Sequence, residues 1–396
     1  MSLRGAAFIM GAYEHPERKI IDRSSSQVHY EVAAGALADA GLSFDDVDGY
    51  FCAGDAPGGF AGPGSYGPAS MIEYLGIRPR YVDSTETGGS AYIVHAGHAA
   101  AAIKEGKCNV ALVTMGGSSA DGRGTGTGSA RRGYEADFGE TMYGSMMPAV
   151  SYALCAQRHM YEFGTTSEQL AEIKVAASIH ASHNPHANMP KIVSVEDVVN
   201  SPMIAAPLHR LDCCANTDGG GAVVIVSPEI AASLDRHKVK ILGQGEAPKN
   251  IDSGRTDLTY TGGVWSAPIA FSEAGVDRSD IDYVSIYDSF TITVLMTLED
   301  LGFCEKGEGG RFVLDGNLVA GVGKLPFNTD GGGLCNNHPT GRGGMIKLIE
   351  AVRQLRGEAN PGTQVAECQI ALAHGSGGLL GSRMTAATVI LGQEDA

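Results

Sequence analysis

The chain carries the same local pattern twice, about half a chain length apart. The stretch 40–48, AGLSFDDVD, is echoed downstream by the stretch 274–282, AGVDRSDID. Each stretch is typical of a helix end, a glycine, a short acidic turn and the start of a strand. Repetition at this distance predicts two duplicated halves related by a pseudo-twofold axis, although a single local match leaves coincidence open as the alternative.

Strand and helix patterns alternate throughout both halves. Such alternation favours a layered α/β fold. The helix expected at about 90–104 is so rich in alanine and glycine that it can pack on more than one face, which is typical of a buried central helix. We expect residues 1–237 to form the first half, with a loop and helical insertion at about 116–215, and residues 238–396 to form the second half.

The composition excludes several classes of protein. Of the 396 residues, 43% are hydrophobic and 19% are charged, as in an ordinary globular protein. The net charge of −16 argues against a nucleic-acid partner, because phosphate contacts need a basic face. No apolar run approaches the roughly 20 residues that a membrane span requires. Eight cysteines without paired spacing, and no metal-binding motif, predict reduced thiols in a cytoplasmic protein.

A glycine-rich stretch near the C-terminus contains a candidate site histidine. The stretch 337–344, NHPTGRGG, places His338 just before a helical pattern at 345–352. Glycine lets a ligand approach the backbone, and the first turn of a helix offers unpaired N–H groups. His338 is therefore a candidate functional residue, with an ordinary loop histidine as the alternative.

Four stretches, in this order and spacing, resemble the thiolase superfamily, most closely its sterol-carrier-protein-x or lipid-transfer type. They are Glu86-Thr87-Gly88-Gly89, Tyr287-Asp288-Ser289-Phe290, His338-Pro339-Thr340-Gly341 and His374-Gly375-Ser376-Gly377-Gly378. The resemblance spans essentially the whole chain. It implies a layered αβαβα architecture of two pseudo-twofold-related halves, and an acyl-CoA substrate with coenzyme A as part of that substrate and no covalently bound cofactor. It also implies a homodimer packed near the small-residue helix, and it allows a small partner protein built of a zinc ribbon and an OB-fold.

The sequence departs from that family at its cysteines. Thiolases carry a nucleophilic cysteine on the turn before the central helix, where the helix N-terminus would lower the thiol pKa. The best-aligned residue here is Glu86, and the family's second, acid/base cysteine aligns with His374. The family's Asn or His on the strand-to-helix turn aligns with Tyr287, so that only His338 is retained. The resemblance therefore implies a catalytic set of Glu86, Tyr287, His338 and His374 without a thiolate.

This set suits retro-aldol cleavage of a β-hydroxyacyl-CoA, a reaction that needs no covalent acyl-enzyme. Backbone N–H groups near Glu86 and Ser376 would hold the thioester oxygen, and each such donor contributes about 3–4 kcal/mol in a transition state. His338 would bind or protonate a second oxygen, and Tyr287 would relay a proton to or from the β-hydroxyl. The residues expected to bind substrate are Ser376, Gly377, Asn328 and Gly332.

Two other function classes stay open, and some residues have plainer interpretations. The alternatives are a Claisen-type acyltransferase that uses an unrecognised nucleophile, and a non-catalytic CoA- or lipid-binding scaffold or partner-dependent subunit. Asp288 is expected to cap the N-terminus of the following helix. Cys213 and Cys214 are expected to be small core residues.

Overall fold

The computed structural model describes residues 2–53, 67–119, 148–249, 256–339, 342–379 and 382–396. Its helices are α1 (Ser25–Ala40), α2 (Pro68–Leu75), α3 (Ala91–Lys104), α4 (Pro148–Phe163), α5 (Ser167–Ala181), α6 (Val195–Val199), α7 (Pro228–Ser233), α8 (Gly263–Ala274), α9 (Thr291–Asp300), α10 (Gly309–Phe312) and α11 (Gly344–Arg356). Its strands are β1 (Phe8–Glu14), β2 (Gly49–Phe51), β3 (Tyr81–Asp83), β4 (Val110–Gly117), β5 (Met203–Ala205), β6 (Leu208–His209), β7 (Asn216–Thr217), β8 (Gly219–Val226), β9 (Val239–Lys249), β10 (Tyr283–Ile286), β11 (His338–Pro339), β12 (Ile370–Leu379) and β13 (Ser382–Gly392).

A nine-stranded mixed sheet runs in the order β10-β12-β13-β9-β1-β8-β4-β2-β3. The antiparallel pair β1–β9 lies near its centre. Outward from this pair, each side repeats the same series of two antiparallel pairings followed by a parallel one. Strand β3 continues one side in parallel, and a parallel bridge between Val284 and Phe327 takes the equivalent place on the other. A pseudo-twofold axis therefore passes through the β1–β9 pair.

The repeated sequence pattern forms equivalent units in the two halves. Helix α1 ends at Gly41 and α8 ends at Gly275, and both glycines adopt the left-handed conformation with φ of 72° and 65°. A short 3₁₀ turn follows each glycine, at Phe44–Asp46 and at Arg278–Asp280, and leads to β2 and β10 respectively. The duplication predicted from the sequence is confirmed by this correspondence.

Three hydrophobic cores divide the molecule into layers. Alternate residues of a strand point to opposite faces, so that Val223 of β8 joins the core around α3 and α11, whereas Val224 joins the core beneath α1. In the other half, Val389 of β13 joins that same central core, and Ile390 packs with α8 and α9. Helices α3 and α11 are thus the middle layer between two halves of the sheet. The predicted layered αβαβα architecture is confirmed.

The small residues of α3 serve packing within the chain. Most of the helix is buried, and a Cβ on Gly97 would lie 2.5 Å from the side chain of Gln244 on β9. Close approach of α3 to β9 therefore accounts for the glycine at position 97.

The boundary that the sequence predicts at 237/238 lies between α7 and β9. The predicted insertion at about 116–215 includes α4, α5 and the β5–β6 hairpin, while its residues 120–147 lie outside the described ranges. None of the described helices combines the length and apolarity that crossing a membrane demands.

Candidate active site

A cavity of about 420 Å³ lies beside the C-terminal end of β10, the Ser376–Gly378 part of β12 and the turn before α3. Aromatic side chains form one wall, where Tyr152 of α4 stacks on Phe290 with ring centroids 4.3 Å apart. Glycines at 88–89 and 377–378 form another part of the wall, and Arg210 and Arg342 add two positive charges. The cavity therefore combines an apolar wall with exposed backbone and cationic groups, a combination that is typical of a ligand site.

Tyr287 and His338 meet at this cavity. Tyr287 directly follows β10, and its N–H donates to the carbonyl of His374 at 2.9 Å. His338 belongs to the short strand β11, which pairs with β7 from the first half of the chain. The Tyr287 hydroxyl oxygen lies 2.9 Å from Nε2 of His338, and each residue is only 4% exposed. The structure thus places two of the predicted catalytic side chains in hydrogen-bonding contact.

Burial holds both members of this pair in their uncharged forms. It raises the pKa of Tyr287 well above its ordinary value, with a smaller opposing effect from a Gly343 backbone hydrogen bond. Burial likewise lowers the pKa of His338 to about 4. At neutral pH the phenol is therefore protonated and the imidazole is neutral, which are the resting forms that a hydroxyl donor and a ring-nitrogen acceptor require.

The buried carboxylate of Asp288 lies next to the Tyr287–His338 pair and supports the surrounding segments through hydrogen bonds and an ion pair. One carboxylate oxygen accepts from the N–H of Gly333 at 2.8 Å and the other from the N–H of Leu334 at 3.1 Å. Its Oδ1 is also 2.7 Å from Nζ of Lys347 in the first turn of α11. The N-cap prediction for Asp288 is wrong: Phe290 takes the cap position of α9 without a side-chain bond, because the buried carboxylate turns inward to these donors instead.

Glycines bring strand β12, the turn before α3 and the Tyr287 ring close together. A Cβ on Gly377 would lie 1.7 Å from the carbonyl oxygen of Thr87, and one on Gly89 would lie 2.5 Å from the Tyr287 ring. Both positions therefore need glycine for close approach. Ser376 and Gly377, which were predicted to bind substrate, line the cavity, and the buried Ser376 hydroxyl has no hydrogen-bond partner among the described residues.

Glu86, which the sequence resemblance aligns with the thiolase nucleophile, does not line the cavity. Its Oε2 is 2.6 Å from Nη1 of Arg342, and its Oε1 accepts from the N–H of Gly88 at 2.8 Å. The ion pair joins the turn before α3 to the segment before α11. Arg342 reaches the cavity wall, whereas the Glu86 carboxylate is engaged in holding it.

Three other predicted site residues lie away from the cavity wall. The glycines after His374 suggest a loop in the sequence, but β12 continues through them, so His374 is buried in mid-strand with Nδ1 2.9 Å from the Thr388 hydroxyl. Burial lowers the pKa of His374 to about 3. Asn328 bonds through its amide to both backbone groups of Ile286, each at 2.8 Å. Gly332 packs against the Asp288 carboxylate, which a Cβ would meet at 2.2 Å. These three contacts support the neighbouring segments.

Two cysteines line the cavity, although they were expected to be core residues. Burial raises the pKa of Cys213 to about 12 and that of the adjacent Cys214 further. Both are therefore protonated thiols at neutral pH, which are poor nucleophiles. Among the described residues, no group of three His, Cys, Asp or Glu side chains is arranged to hold a metal ion.

Arg342 and the cavity-facing cysteines are site residues that the sequence did not predict. The one signal for Arg342 was its position among glycines in the stretch that carries His338. The one signal for the cysteines was that two of them, Cys213 and Cys214, are adjacent in the sequence.

Comparisons of the sequence and of the fold with known proteins all find thiolase-like proteins or aldolases. Residues 244–393 match the family described as thiolase C-terminal domain-like. The chain is 33% identical over 370 residues to a steroid side-chain-cleaving aldolase of Thermomonospora curvata, and the match covers 90% of this chain and 91% of that protein. It is 40% identical over 249 residues to an acetyl-CoA acetyltransferase of Methanothermobacter thermautotrophicus, and this match spans 61% of the chain and 63% of that relative's length. The solved structure of the Ltp2-ChsH2(DUF35) aldolase matches over 99% of each chain with a TM-score of 0.87 and 31% identity.

Proposed function

Because the chain belongs to the thiolase superfamily, we propose that it is an enzyme that cleaves a β-hydroxyacyl-CoA thioester by a retro-aldol reaction. The observation that carries this proposal is the 2.9 Å contact between the Tyr287 hydroxyl and His338 Nε2, in a cavity whose two thiols are protonated. A proton-transfer pair without a thiolate fits chemistry that never binds an acyl group to the enzyme.

In the proposed reaction, the β-hydroxyl of the substrate donates to Tyr287. The hydroxyl proton moves to Tyr287 as the phenol gives its own proton to His338 Nε2. The bond between Cα and Cβ breaks, its electron pair moves toward the thioester carbonyl to form an enolate, and Cβ becomes a ketone or aldehyde. The proton then returns from His338 through Tyr287 to Cα. The products are a carbonyl compound and a shortened acyl-CoA, and no net proton is consumed.

The proposed place of the enolate oxygen is the glycine wall of the cavity. Backbone groups of Gly89 and of the Ser376–Gly377 segment meet there, and the unpartnered Ser376 hydroxyl lies beside them. Donors placed in advance around a developing oxyanion contribute about 3–4 kcal/mol each. The exposed guanidinium of Arg210 at the cavity suits the phosphate groups of coenzyme A, which we propose as part of the substrate.

The acyltransferase similarity favours Claisen chemistry as a second candidate function. That reaction needs a nucleophile for the acyl group. The two cavity thiols have raised pKa values, and the Glu86 carboxylate is bound by Arg342, so the described residues favour the aldol reaction over it.

The test is incubation of the purified protein with β-hydroxyacyl-CoA thioesters. These should include one with a steroid-derived acyl group, because the aldolase relative cleaves steroid side chains. A ketone or aldehyde together with a shortened acyl-CoA is the expected result. CoA-dependent thiolysis of a 3-oxoacyl-CoA would instead support the acyltransferase, and binding without turnover would support a scaffold; either result would overturn the proposal.

We further propose that the protein works in an assembly. The similar Ltp2-ChsH2(DUF35) aldolase combines an aldolase with a DUF35 protein, which supports a small partner of the zinc-ribbon and OB-fold kind. We also propose that the protein forms a homodimer and lies in the cytoplasm. Turnover should be assayed with and without the candidate partner, and light scattering of the protein in solution should give the mass of two copies.

A further inference from the structure

A fully buried lysine lies behind the Tyr287–His338 pair, and the proposed reaction does not use it. Lys347 is 1% exposed, and its Nζ is 2.7 Å from Oδ1 of Asp288, which is itself fully buried. Two charges removed from water are costly, and a hydrophobic pair of the same volume is often as stable. Stability alone is therefore a weak reason for this pair, and its position suggests another role.

The Asp288–Lys347 ion pair lies next to the imidazole of His338. Asp288 follows Tyr287 in the chain. A Cβ on Gly333 would lie 3.0 Å from Oδ1 of Asp288 and 3.0 Å from Cδ2 of His338, so the carboxylate and the ring crowd the same glycine. Lys347 reaches the same oxygen from α11. The ion pair thus adjoins the ring that would accept a proton from Tyr287.

The charges that face His338 act in opposite directions. Tyr287 and Asp288 approach the ring from the segment after β10, Lys347 approaches from α11, and Arg342 lies on the shared cavity wall in contact with Glu86. Beyond the dominant effect of burial, Asp288 raises the pKa of His338 and Lys347 lowers it. A carboxylate without its ammonium would favour the imidazolium form.

We propose that Lys347 is a positioning residue of this site: by neutralising Asp288, its ammonium keeps the imidazole of His338 an uncharged acceptor for the Tyr287 hydroxyl. This inference rests on the proposed function, in which His338 receives the proton of Tyr287. Without Lys347, Asp288 would stabilise the protonated ring, and as the pH falls the phenol would lose its acceptor at a higher pH than in the wild type.

The first test follows the protonation of His338 directly. The full chain, labelled with ¹⁵N-histidine, is titrated by NMR, and His338→Ala identifies the signal. Lys347→Gln removes the charge but keeps an N–H donor for Asp288, whereas Lys347→Arg keeps the charge. The pKa of His338 should rise by about one unit or more in Lys347→Gln and stay near the wild-type value in Lys347→Arg. An unchanged pKa in Lys347→Gln would overturn the inference. Because this measurement needs no turnover, it stands even if the proposed reaction is wrong.

A second variant keeps the inference testable if Lys347→Gln does not fold. Asp288→Asn leaves the ammonium without its carboxylate, so the pKa of His338 should move in the opposite direction, below the wild-type value. The double variant Asp288→Asn/Lys347→Gln should return it close to wild type. A rise of the pKa in Asp288→Asn would contradict the assigned electrostatic role.

The third test separates positioning from structural damage. In Lys347→Gln, the acidic limb of the kcat/KM profile should move to higher pH while the rate at pH 9 stays near the wild-type rate. Lys306→Gln is the matched control, because Lys306 pairs with Asp300 at 2.6 Å at the end of α9, away from the cavity wall. It should leave the acidic limb in place. A rate lowered by the same factor at every pH in Lys347→Gln would count against the inference.

Discussion

The hydroxyl of Tyr287 lies 2.9 Å from Nε2 of His338, although 51 positions separate the two residues in the chain. Tyr287 directly follows β10, a strand of the large sheet. His338 belongs to a separate two-stranded sheet, where its N–H donates to the hydroxyl of Thr217 at 3.0 Å. The contact between the two candidate catalytic residues therefore depends on a strand contributed by the first half of the chain.

Replacement of Tyr287 by Phe should lower the turnover of a β-hydroxyacyl-CoA by about 100-fold or more, because it removes the group that relays the proton. The ring stays in place, so the far-UV circular dichroism should not change. Tyr283→Phe is the matched control: it removes another buried hydroxyl, which accepts from the Thr329 N–H at 3.4 Å, outside the cavity. Equal losses of turnover in the two variants would contradict the assigned role of Tyr287.

His338→Ala should slow the reaction to a similar extent, and the double variant with Tyr287→Phe should be little slower than the worse single variant. Residues that act as one unit give non-additive losses. The measurement is a double-mutant cycle on kcat/KM at one pH. Losses that multiply would show that the two side chains act independently, despite their hydrogen bond.

The pH dependence of kcat/KM should be flat from about pH 5.5 to 9. The active form needs a neutral His338, whose pKa burial lowers to about 4, so activity is lost only as the pH falls through about 4. The pKa of Tyr287 is raised well above 10, so its ionisation should add no basic limb in this range. An acidic limb near the ordinary histidine pKa of about 6.5 would rule out His338 as the acceptor in this state.

Glu86→Gln should weaken the link to Arg342 and destabilise the protein by about 2 kcal/mol, the usual contribution of a hydrogen bond to a charged group. Turnover should stay within about 10-fold of wild type, since loss of a general acid or base usually costs 100-fold or more. Denaturant unfolding and steady-state kinetics measure the two effects. Glu162→Gln, which weakens an exposed i,i+4 pair with Arg158 on α4, should change stability by less than about 1 kcal/mol. Complete loss of activity in Glu86→Gln would return Glu86 to the catalytic set.

The free energy of unfolding should fall at alkaline pH, because His98 loses its proton there. The Asp83 carboxylate, at 2.7 Å, and secondarily Glu246 raise the pKa of His98 to about 9, above the roughly 6.5 of an unfolded chain. Its contribution is therefore fully present below about pH 6.5 and is lost as the pH rises through about 9. The free energy of unfolding, measured at pH 6.5 and 9.5, should fall more in the wild type than in His98→Gln. Equal falls would show that this contact is not the source.

The fold could be predicted because its determinants are local. The glycines that end α1 and α8 and the acidic turns after them occur in the sequence as a repeated pattern, and they form equivalent units in the structure. The alternation of strands and helices along the chain is compatible with only a few layered architectures.

The site was only partly predictable, because its contacts join distant segments. The sequence singled out Tyr287 and His338, but their hydrogen bond depends on the pairing of β11 with β7. The ion pairs Glu86–Arg342 and Asp288–Lys347 have no local signature. The glycines after His374 are typical of a loop, but strand β12 continues through them. A Cβ on Gly375 would lie 2.8 Å from Cα of Ser90, so that glycine marks a strand packed tightly against a neighbouring segment.

The middle layer formed by α3 and α11 makes the two halves inseparable. Each of these helices covers strands from both sides of the β1–β9 junction, and one continuous interior encloses them. If the chain were divided at that junction, β1 and β9 would become unpaired edge strands. Each middle-layer helix would also lose contact with the strands of the other half. Unpaired edges and exposed apolar surface both favour aggregation. We therefore expect that residues 244–393, which match the thiolase C-terminal domain-like family, do not fold alone, and that working fragments have to be produced together.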